Sequence, residues 1–189
     1  MAGGLQQAGR ILVLNGIGSV GKSSVAMALQ ALLTEPFLHV QMDAFLEMLP
    51  EAYQDHPDAF SYETIYEAGK PLVAIKGGPL GERLMRGMIK AIAAMAAEGN
   101  SMIVDEVMDG GKWQSYAAAL SKFKVRVVGL FAPLEVLEAR ELARGNRMIG
   151  LARWQYGRVH KGMKYDLEID TSTATPAECA ERIKAAFAL

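Results

Sequence analysis

Eight consecutive residues near the N-terminus have the types and spacing of a phosphate-binding loop. The run Gly16-Ile17-Gly18-Ser19-Val20-Gly21-Lys22-Ser23 fits the pattern G-x-x-x-x-G-K-[ST] at every fixed position. Such a loop surrounds phosphate oxygens with backbone N–H groups, while its lysine reaches the β- and γ-phosphates and its last hydroxyl binds Mg²⁺. The predicted ATP-binding residues are Gly16, Ile17, Gly18, Ser19, Val20, Gly21, Lys22, Ser23, Ser24 and Arg140. A glycine-rich turn that binds no nucleotide is the alternative, and the complete match disfavours it.

A carboxylate follows the second short apolar run of the chain. Asp43 comes directly after Leu38–Met42, where ligands of open α/β sheets bind beyond the strand ends. There it could accept the proton of a hydroxyl that attacks the γ-phosphate. It could equally be the N-cap of a helix over Ala44–Met48. From the residues alone, both interpretations stay open.

Two adjacent carboxylates end the third apolar run, Met102-Ile103-Val104. Asp105 and Glu106 both have the chemistry to hold magnesium, directly or through water. We predict a metal site formed by Ser23 and one of the two, with Asp105 preferred. Asp109 is interpreted as a helix-entry or turn residue.

Three arginines recur at short spacing in the second half of the chain. Arg140 and Arg144 are four residues apart, on one helix face, and Arg147 follows Gly145. Guanidinium groups in this arrangement could neutralise charge on a transferring phosphoryl group. Arg144 and Arg147 are therefore predicted catalytic residues beside Lys22 and Asp43. A solvated basic helix end is the alternative interpretation.

These residues need a sheet that brings strand ends together, and the apolar pattern predicts one. Short apolar runs alternate with helical stretches, which is typical of βαβ units around a parallel sheet. Predicted strands are 11–14, 38–42, 102–104, 125–131 and 167–169, and predicted helices are 22–33, 44–48, 81–97, 113–120, 134–143 and 176–188. The predicted fold class is α/β: a three-layer α/β/α P-loop NTPase, nucleotide-kinase-like, with a mostly parallel five-stranded sheet.

Two segments fit neither pattern. Residues 51–80 contain three prolines and end in Gly-Gly-Pro, and residues 145–164 are basic and interrupted by glycines. Long irregular segments are usually functional. We expect the first to shape an acceptor site and the second to form a lid within a single domain, 1–189. The first also contains five acidic residues between 51 and 67 and no Lys or Arg, which argues against a phosphate-bearing acceptor.

The bulk composition excludes several functional classes. The 189 residues have 20 basic and 21 acidic side chains, a net charge of −1, so no basic field invites nucleic acid or an anionic membrane. The one cysteine cannot form an internal disulfide, and no signal peptide or membrane-spanning run is visible. We expect a cytoplasmic protein whose partner is a small molecule; its oligomeric state is open.

Several motifs together resemble one known family. They are 11–16, 19–24, Met42-Asp43-Ala44-Phe45, 103–107, 143–147 and the stretch from Val159-His160 to Asp170-Thr171. In this order, over nearly the whole chain, they resemble the chloramphenicol phosphotransferase-like family. The resemblance implies ATP-dependent phosphorylation of a primary hydroxyl of chloramphenicol, with Asp43 as the general base and the arginines near the triphosphate. Residues 51–80 depart from the family except at Gly78-Pro79, so another small hydroxyl compound can be the acceptor.

Two further functional classes remain open from the sequence. One is a kinase of a central metabolite such as a nucleoside monophosphate, shikimate or gluconate. The other is a regulatory ATP-binding module with no small acceptor. Asp43 and the arginine segment favour a small-molecule O-kinase over both.

Overall fold

The architecture is a parallel sheet between two helical layers, seen in a computed structural model that describes residues 8–145 and 148–189. The strands are β1 (Ile11–Asn15), β2 (Phe37–Gln41), β3 (Phe60–Glu67), β4 (Lys70–Gly77), β5 (Ser101–Glu106), β6 (Val125–Phe131) and β7 (Leu167–Asp170). The helices are α1 (Lys22–Leu32), α2 (Met42–Leu46), α3 (Pro79–Ala97), α4 (Gly110–Ala119), α5 (Leu134–Arg144), α6 (Leu151–Tyr156) and α7 (Pro176–Phe187). Five strands form one sheet in the order β2-β5-β1-β6-β7, and all neighbours are parallel. The predicted fold class is confirmed.

The central strand β1 is apolar on both sides because helices cover both faces of the sheet. Ile11 and Val13 pack with α3 and α4, whereas Leu12 and Leu14 pack with α1, α5 and α7. All four side chains are buried, as an uninterrupted apolar run predicts. Each of the five predicted strands is found within one or two residues of its expected bounds.

The sheet order brings the predicted site residues to one edge. β5 lies between β1 and β2, with Asp105 opposite Leu14 on one side and Gln41 on the other. The phosphate-binding loop begins directly after the last residue of β1, Asn15, and α2 begins directly after Gln41. The chain therefore turns at this edge in three neighbouring places.

The first unassigned segment contains a hairpin that the sequence did not predict. Strands β3 and β4 pair antiparallel from Phe60 opposite Gly77 to Glu67 opposite Lys70. Ala68 and Gly69, at the turn, both have positive φ angles, 49° and 76°, which a tight two-residue connection requires. The hairpin stands apart from the main sheet and leads through Gly78 into α3.

The second unassigned segment contains α6, which the sequence also did not predict. Its N-terminus is held by Glu141 of α5, whose carboxylate accepts hydrogen bonds from the backbone N–H groups of Gly150 and Ala152, both at 2.8 Å. The carbonyl of Gly150 accepts from Val73 N of β4 at 3.1 Å. Helix α6 is thus joined both to α5 and to the hairpin.

In residues 8–145 and 148–189, no helix is long and apolar enough to cross a membrane.

The last helix begins with a capping box in which Thr175 and Glu178 exchange hydrogen bonds, with Pro176 as first helical residue.

Candidate functional site

The phosphate-binding loop closes tightly between β1 and α1. Ser19 and Gly21 have positive φ angles, 66° and 99°, and Gly21 is the N-cap of α1. Gly16 serves a different purpose: a Cβ there would lie 2.8 Å from the carbonyl oxygen of Leu130. Because glycine has no Cβ, the loop can pack closely against β6 at this position.

Lys22 lies over its own loop. Its Nζ donates to the carbonyls of Gly16 at 2.8 Å and Ile17 at 3.2 Å, and lies 3.9 Å from Asp105 Oδ1. The side chain is 9% exposed, so the ammonium group is largely shielded from water and lies within the loop.

Ser23 and Asp105 are brought together as predicted. The Ser23 hydroxyl donates to Asp105 Oδ2 at 2.7 Å. His39 Nε2 on β2 is 3.5 Å from the same oxygen, without hydrogen-bond geometry. Burial acts to raise the pKa of Asp105, but His39, Lys22 and Ser23 outweigh it and lower the pKa below 3.8. Asp105 is therefore a carboxylate, the form that a cation binds.

The adjacent Glu106 has other partners. It accepts hydrogen bonds from Tyr116 Oη at 2.6 Å, Lys112 Nζ at 2.8 Å and Val107 N at 2.8 Å. The side chain is completely buried. Burial, and then the charge of Glu106, raise the pKa of Tyr116 far above 10.0, so the phenol remains a donor. The geometry places Asp105, and not Glu106, beside Ser23.

Asp43 lies in the first turn of α2, next to the loop. The helix begins at Met42, and its N-cap is Gln41. The interpretation of Asp43 as the N-cap of a helix over Ala44–Met48 is therefore wrong, because the helix starts two residues earlier. Tyr62 of the hairpin faces the same region: burial, and then the charges of Asp43 and Asp55, raise its pKa above 10.0.

Of the three arginines predicted to contact the nucleotide, Arg140 and Arg144 lie within the described residues, and their surroundings differ. Arg140 donates through Nη2 to the Thr171 carbonyl at 2.7 Å and through Nη1 to Thr171 Oγ1 at 3.1 Å and to the Val20 carbonyl at 3.4 Å. It thus connects α5 to the turn after β7. Arg144, one helical turn on, is exposed. Arg147, also predicted to be catalytic, lies outside the described residues.

Three cavities lie side by side along this edge. The Arg140 pocket, about 370 Å³, is lined by Ser19, Gly21, Arg140, Arg144 and the turn around Thr171. The P-loop cleft, about 120 Å³, contains Lys22, Ser23, Asp43, Asp105 and Arg144. The hairpin pocket, about 470 Å³, lies between β3, β4 and α6.

Shared residues show how the cavities connect. Ser19, Gly21 and Arg144 line both the Arg140 pocket and the P-loop cleft. Met42 and Tyr62 line both the cleft and the hairpin pocket. The cleft is therefore the middle compartment, and a ligand in it can contact ligands in both neighbours.

The hairpin pocket is apolar with a basic rim. Its apolar lining consists of Met42, Leu46, Phe60, Ile75, Met85, Val107, Met108, Trp154 and Val159. Lys112, Arg158 and Lys161 also line it, together with Asp109, which is the N-cap of α4 as predicted. In the described chain, no acidic residue between 51 and 67 lines this pocket. The sequence argument from the acidic segment against an anionic acceptor therefore finds no support in the lining of the pocket, although the charge of Asp55 reaches Tyr62, one of the lining residues.

Sequence reasoning missed several residues of this region. Gln155 of α6 lines the cleft and the hairpin pocket, and its Oε1 accepts from Gly18 N at 2.7 Å. Tyr62 and His39 were also missed. A lone glutamine, tyrosine or histidine at no ligand spacing gives no signal, since only the tertiary fold brings it to the loop.

A second polar network lies behind the loop. Asn15 Nδ2 donates to Tyr165 Oη at 2.7 Å and to the Met108 carbonyl at 2.9 Å, and Asn15 Oδ1 accepts from Met108 N at 2.8 Å. His160 Nδ1 and Tyr165 Oη are hydrogen bonded at 2.6 Å, and the imidazole stacks on Phe131. The end of β1 is thereby joined to the segment after α6.

Comparisons with solved structures agree with this fold. Similar structures include the Mycobacterium tuberculosis APS kinase in complex with AMPPNP and APS (TM-score 0.67, 16% identity, 96% of this chain and 99% of that chain). The Deinococcus radiodurans tunicamycin resistance protein has a TM-score of 0.65 and 21% identity over 96% of each chain. A Sinorhizobium meliloti gluconokinase has a TM-score of 0.64 and 19% identity over 97% of this chain and 93% of that chain.

Sequence comparisons are more specific. Two Mycobacterium tuberculosis proteins, of strains CDC 1551 and H37Rv, are each 34% identical over 176 residues, covering 89% of this chain and 77% of theirs; both are provisionally named O-phosphotransferases. The family described as chloramphenicol phosphotransferase-like protein matches residues 9–188. The chain therefore belongs to the chloramphenicol phosphotransferase-like family and is a kinase-like phosphotransferase of the P-loop fold.

Proposed function

We propose that this protein transfers the γ-phosphoryl group of ATP to a hydroxyl group of a small molecule, with chloramphenicol or a chloramphenicol-like hydroxyl compound as acceptor. The observation that carries the proposal is the order of the cavities. The P-loop cleft lies between the Arg140 pocket and the hairpin pocket, and Asp43 lines the cleft. A nucleotide on one side and an acceptor on the other would meet at Asp43.

The residues support the following roles. The Asp43 carboxylate accepts the proton of the acceptor hydroxyl while that oxygen attacks the γ-phosphorus. The bond from the γ-phosphorus to the β,γ-bridging oxygen breaks, and ADP leaves. Lys22, Arg144 and Arg147 neutralise charge on the phosphoryl group, and the loop N–H groups orient it. Such catalysis consists of positioning and charge stabilisation.

Ser23 and Asp105 fit a magnesium ion. A hydroxyl and a carboxylate 2.7 Å apart, beside a phosphate loop, are oxygen ligands of the kind that Mg²⁺ binds. In the described part of the chain, no cluster of three His, Cys, Asp or Glu side chains could hold a metal alone. Magnesium in nucleotide sites needs one or two protein ligands, with phosphate and water as the rest. When bound, the ion would neutralise phosphate charge.

The residues that line the hairpin pocket indicate which chemical class of acceptor would fit it. Its lining favours a molecule with an apolar or aromatic body that carries a hydroxyl, consistent with chloramphenicol. The basic side chains Arg158 and Lys161 favour a second candidate, a metabolite kinase whose acceptor carries an anionic group. Lys112 contributes less to this, because it is paired with the buried Glu106.

The proposal is tested by incubating the purified protein with ATP, Mg²⁺ and a panel of hydroxyl compounds and analysing each by mass. The panel contains chloramphenicol, its primary-hydroxyl-blocked derivative, and hydroxy acids and phosphorylated metabolites as anionic acceptors. A phosphorylated chloramphenicol that the blocked derivative does not give supports the proposal. Phosphorylation of the anionic compounds alone would replace it by the second candidate, and ATP binding without any product would contradict transfer to these acceptors.

A further inference from the structure

Helix α6 places a buried glutamine against the phosphate-binding loop. Gln155 is 5% exposed, and its Oε1 accepts a hydrogen bond from Gly18 N at 2.7 Å. Gly18 is the third residue of the loop motif, and a Cβ there would lie 3.3 Å from the same Oε1. Glycine at this position therefore leaves room for the carboxamide.

The contact lies at the acceptor end of the cleft. Ser19 and Gly21 line both the Arg140 pocket and the P-loop cleft, whereas Gly18 lines the cleft. Gln155 lines the cleft and the hairpin pocket. The Gln155–Gly18 hydrogen bond thus lies where the cleft meets the hairpin pocket, beyond the loop residues nearest the Arg140 pocket.

The position of Gln155 depends on elements from both sides of the cleft. The N-terminus of α6 is held by Glu141 of α5, the helix that also carries Arg140 and Arg144. On the other side, Gly150 accepts from Val73 of β4. A shift of α5 or of the hairpin would therefore move Gln155 relative to Gly18.

We propose that Gln155 is a positioning residue that sets the γ-phosphoryl end of the loop against the acceptor. The inference rests on the proposed phosphoryl transfer and adds a residue to it. A neutral carboxamide suits this place: its oxygen accepts from Gly18, and it brings N–H donors but no negative charge near the γ-phosphate. A carboxylate of the same shape would also accept from Gly18 but would repel that phosphate.

Gln155→Glu separates this role from simple packing. The variant retains the shape and the acceptor for Gly18, and ADP lacks the γ-phosphate that the added charge would repel, so we expect ADP affinity within about twofold of wild type. ATP affinity should fall about tenfold or more, because the added charge faces the γ-phosphate. Both affinities are measured by calorimetry with Mg²⁺ above pH 7. Tyr156→Ala, an exposed neighbour on the same helix, is the matched control and should change neither.

A second, independent experiment uses the variant Gln155→Ala. We expect kcat for transfer to fall about tenfold or more, while ADP affinity changes by about twofold or less. A wild-type ratio of ATP to ADP affinity in Gln155→Glu would overturn the inference. So would an equal loss for both nucleotides, which indicates a distorted loop, or a wild-type kcat in Gln155→Ala. Since the affinity ratio needs no acceptor, it tests Gln155 even if no phosphorylated product is found.

Discussion

Two carboxylates adjacent in sequence, Asp105 and Glu106, have different surroundings because successive residues of a strand face opposite sides of the sheet. Asp105 faces the loop, with Ser23 and Lys22, and its pKa is lowered. Glu106 faces α4 and is held by Tyr116 and Lys112. The first is available to a ligand in the cleft, and the second stabilises the helix packed below it.

We predict that His160 makes the free energy of unfolding depend on pH. Burial, and then the positive charge of Lys22, lower its pKa from 6.5 to about 4. Between these values the unfolded chain binds a proton that the folded chain does not. The His160 contribution is therefore fully present above pH 6.5, and the free energy of unfolding should decrease as the pH falls from 6.5 towards 4.

Urea unfolding of wild type and His160→Asn at pH 4.5, 5.5 and 6.5 measures this dependence. Asparagine does not titrate here and tolerates the left-handed backbone of His160, whose φ angle is 75°. The variant should lose less stability over this range than wild type. Met27→Asn, at an exposed residue of α1 that does not titrate, is the control and should keep the wild-type slope. Equal slopes in wild type and His160→Asn would contradict the assignment.

The sequence predicted those site residues whose type and local spacing have a chemical meaning. The loop, Asp43 and Asp105 each follow a recognisable apolar strand, so their common location follows from the parallel sheet. Gln155 and His39 lack such a signal. The hydrogen bond of Gln155 to Gly18 spans 137 residues, and only the packing of α6 produces it.

At the scale of elements, helix α6 and the hairpin line the hairpin pocket, where we propose that the acceptor binds. Sequence reasoning missed the hairpin because β3 has no apolar run; five of its eight residues are exposed. The turn is Ala-Gly, without the Asn-Gly or Asp-Gly signal of a tight hairpin. The central strands β1 and β5 were predictable because burial on both faces leaves continuous apolar runs in them, whereas the edge strands β2 and β7 are only partly buried and were recognised from shorter apolar patterns.

Glu141 should control the local stability of α6. In Glu141→Gln the amide has one oxygen and an NH₂ group, so the N–H of Gly150 or of Ala152 loses its acceptor. We expect amide exchange in residues 148–156 to accelerate about tenfold, corresponding to about 1.4 kcal/mol. Hydrogen-exchange mass spectrometry reports this by segment.

The matched control is Glu135→Gln, at an exposed position on the same helix α5. It should leave exchange of residues 148–156 at the wild-type rate. Equal acceleration of α6 and the strands of the main sheet in Glu141→Gln would indicate global destabilisation and contradict a local role. Unchanged exchange of α6 would contradict it as well.

At the scale of the whole molecule, the sheet order determines which compartments meet. Because β5 lies between β1 and β2, the loop, Asp105 and α2 converge on the P-loop cleft. The turn after β7 and helix α5 border the Arg140 pocket, and the hairpin and α6 border the hairpin pocket. We propose that residues 1–189 act as one catalytic domain, in which residues 145–164 form a lid that keeps water from the γ-phosphate.

The most direct test of this account is the rate of phosphoryl transfer in a single turnover by Asp43→Ala, with an acceptor found in the panel. The account predicts a rate at least about a hundredfold below wild type, because the general base is lost, with ATP affinity within about threefold. Asp58→Ala, an exposed carboxylate on the acceptor side, should transfer at the wild-type rate. Transfer by Asp43→Ala near the wild-type rate would contradict the assignment of Asp43 as the base.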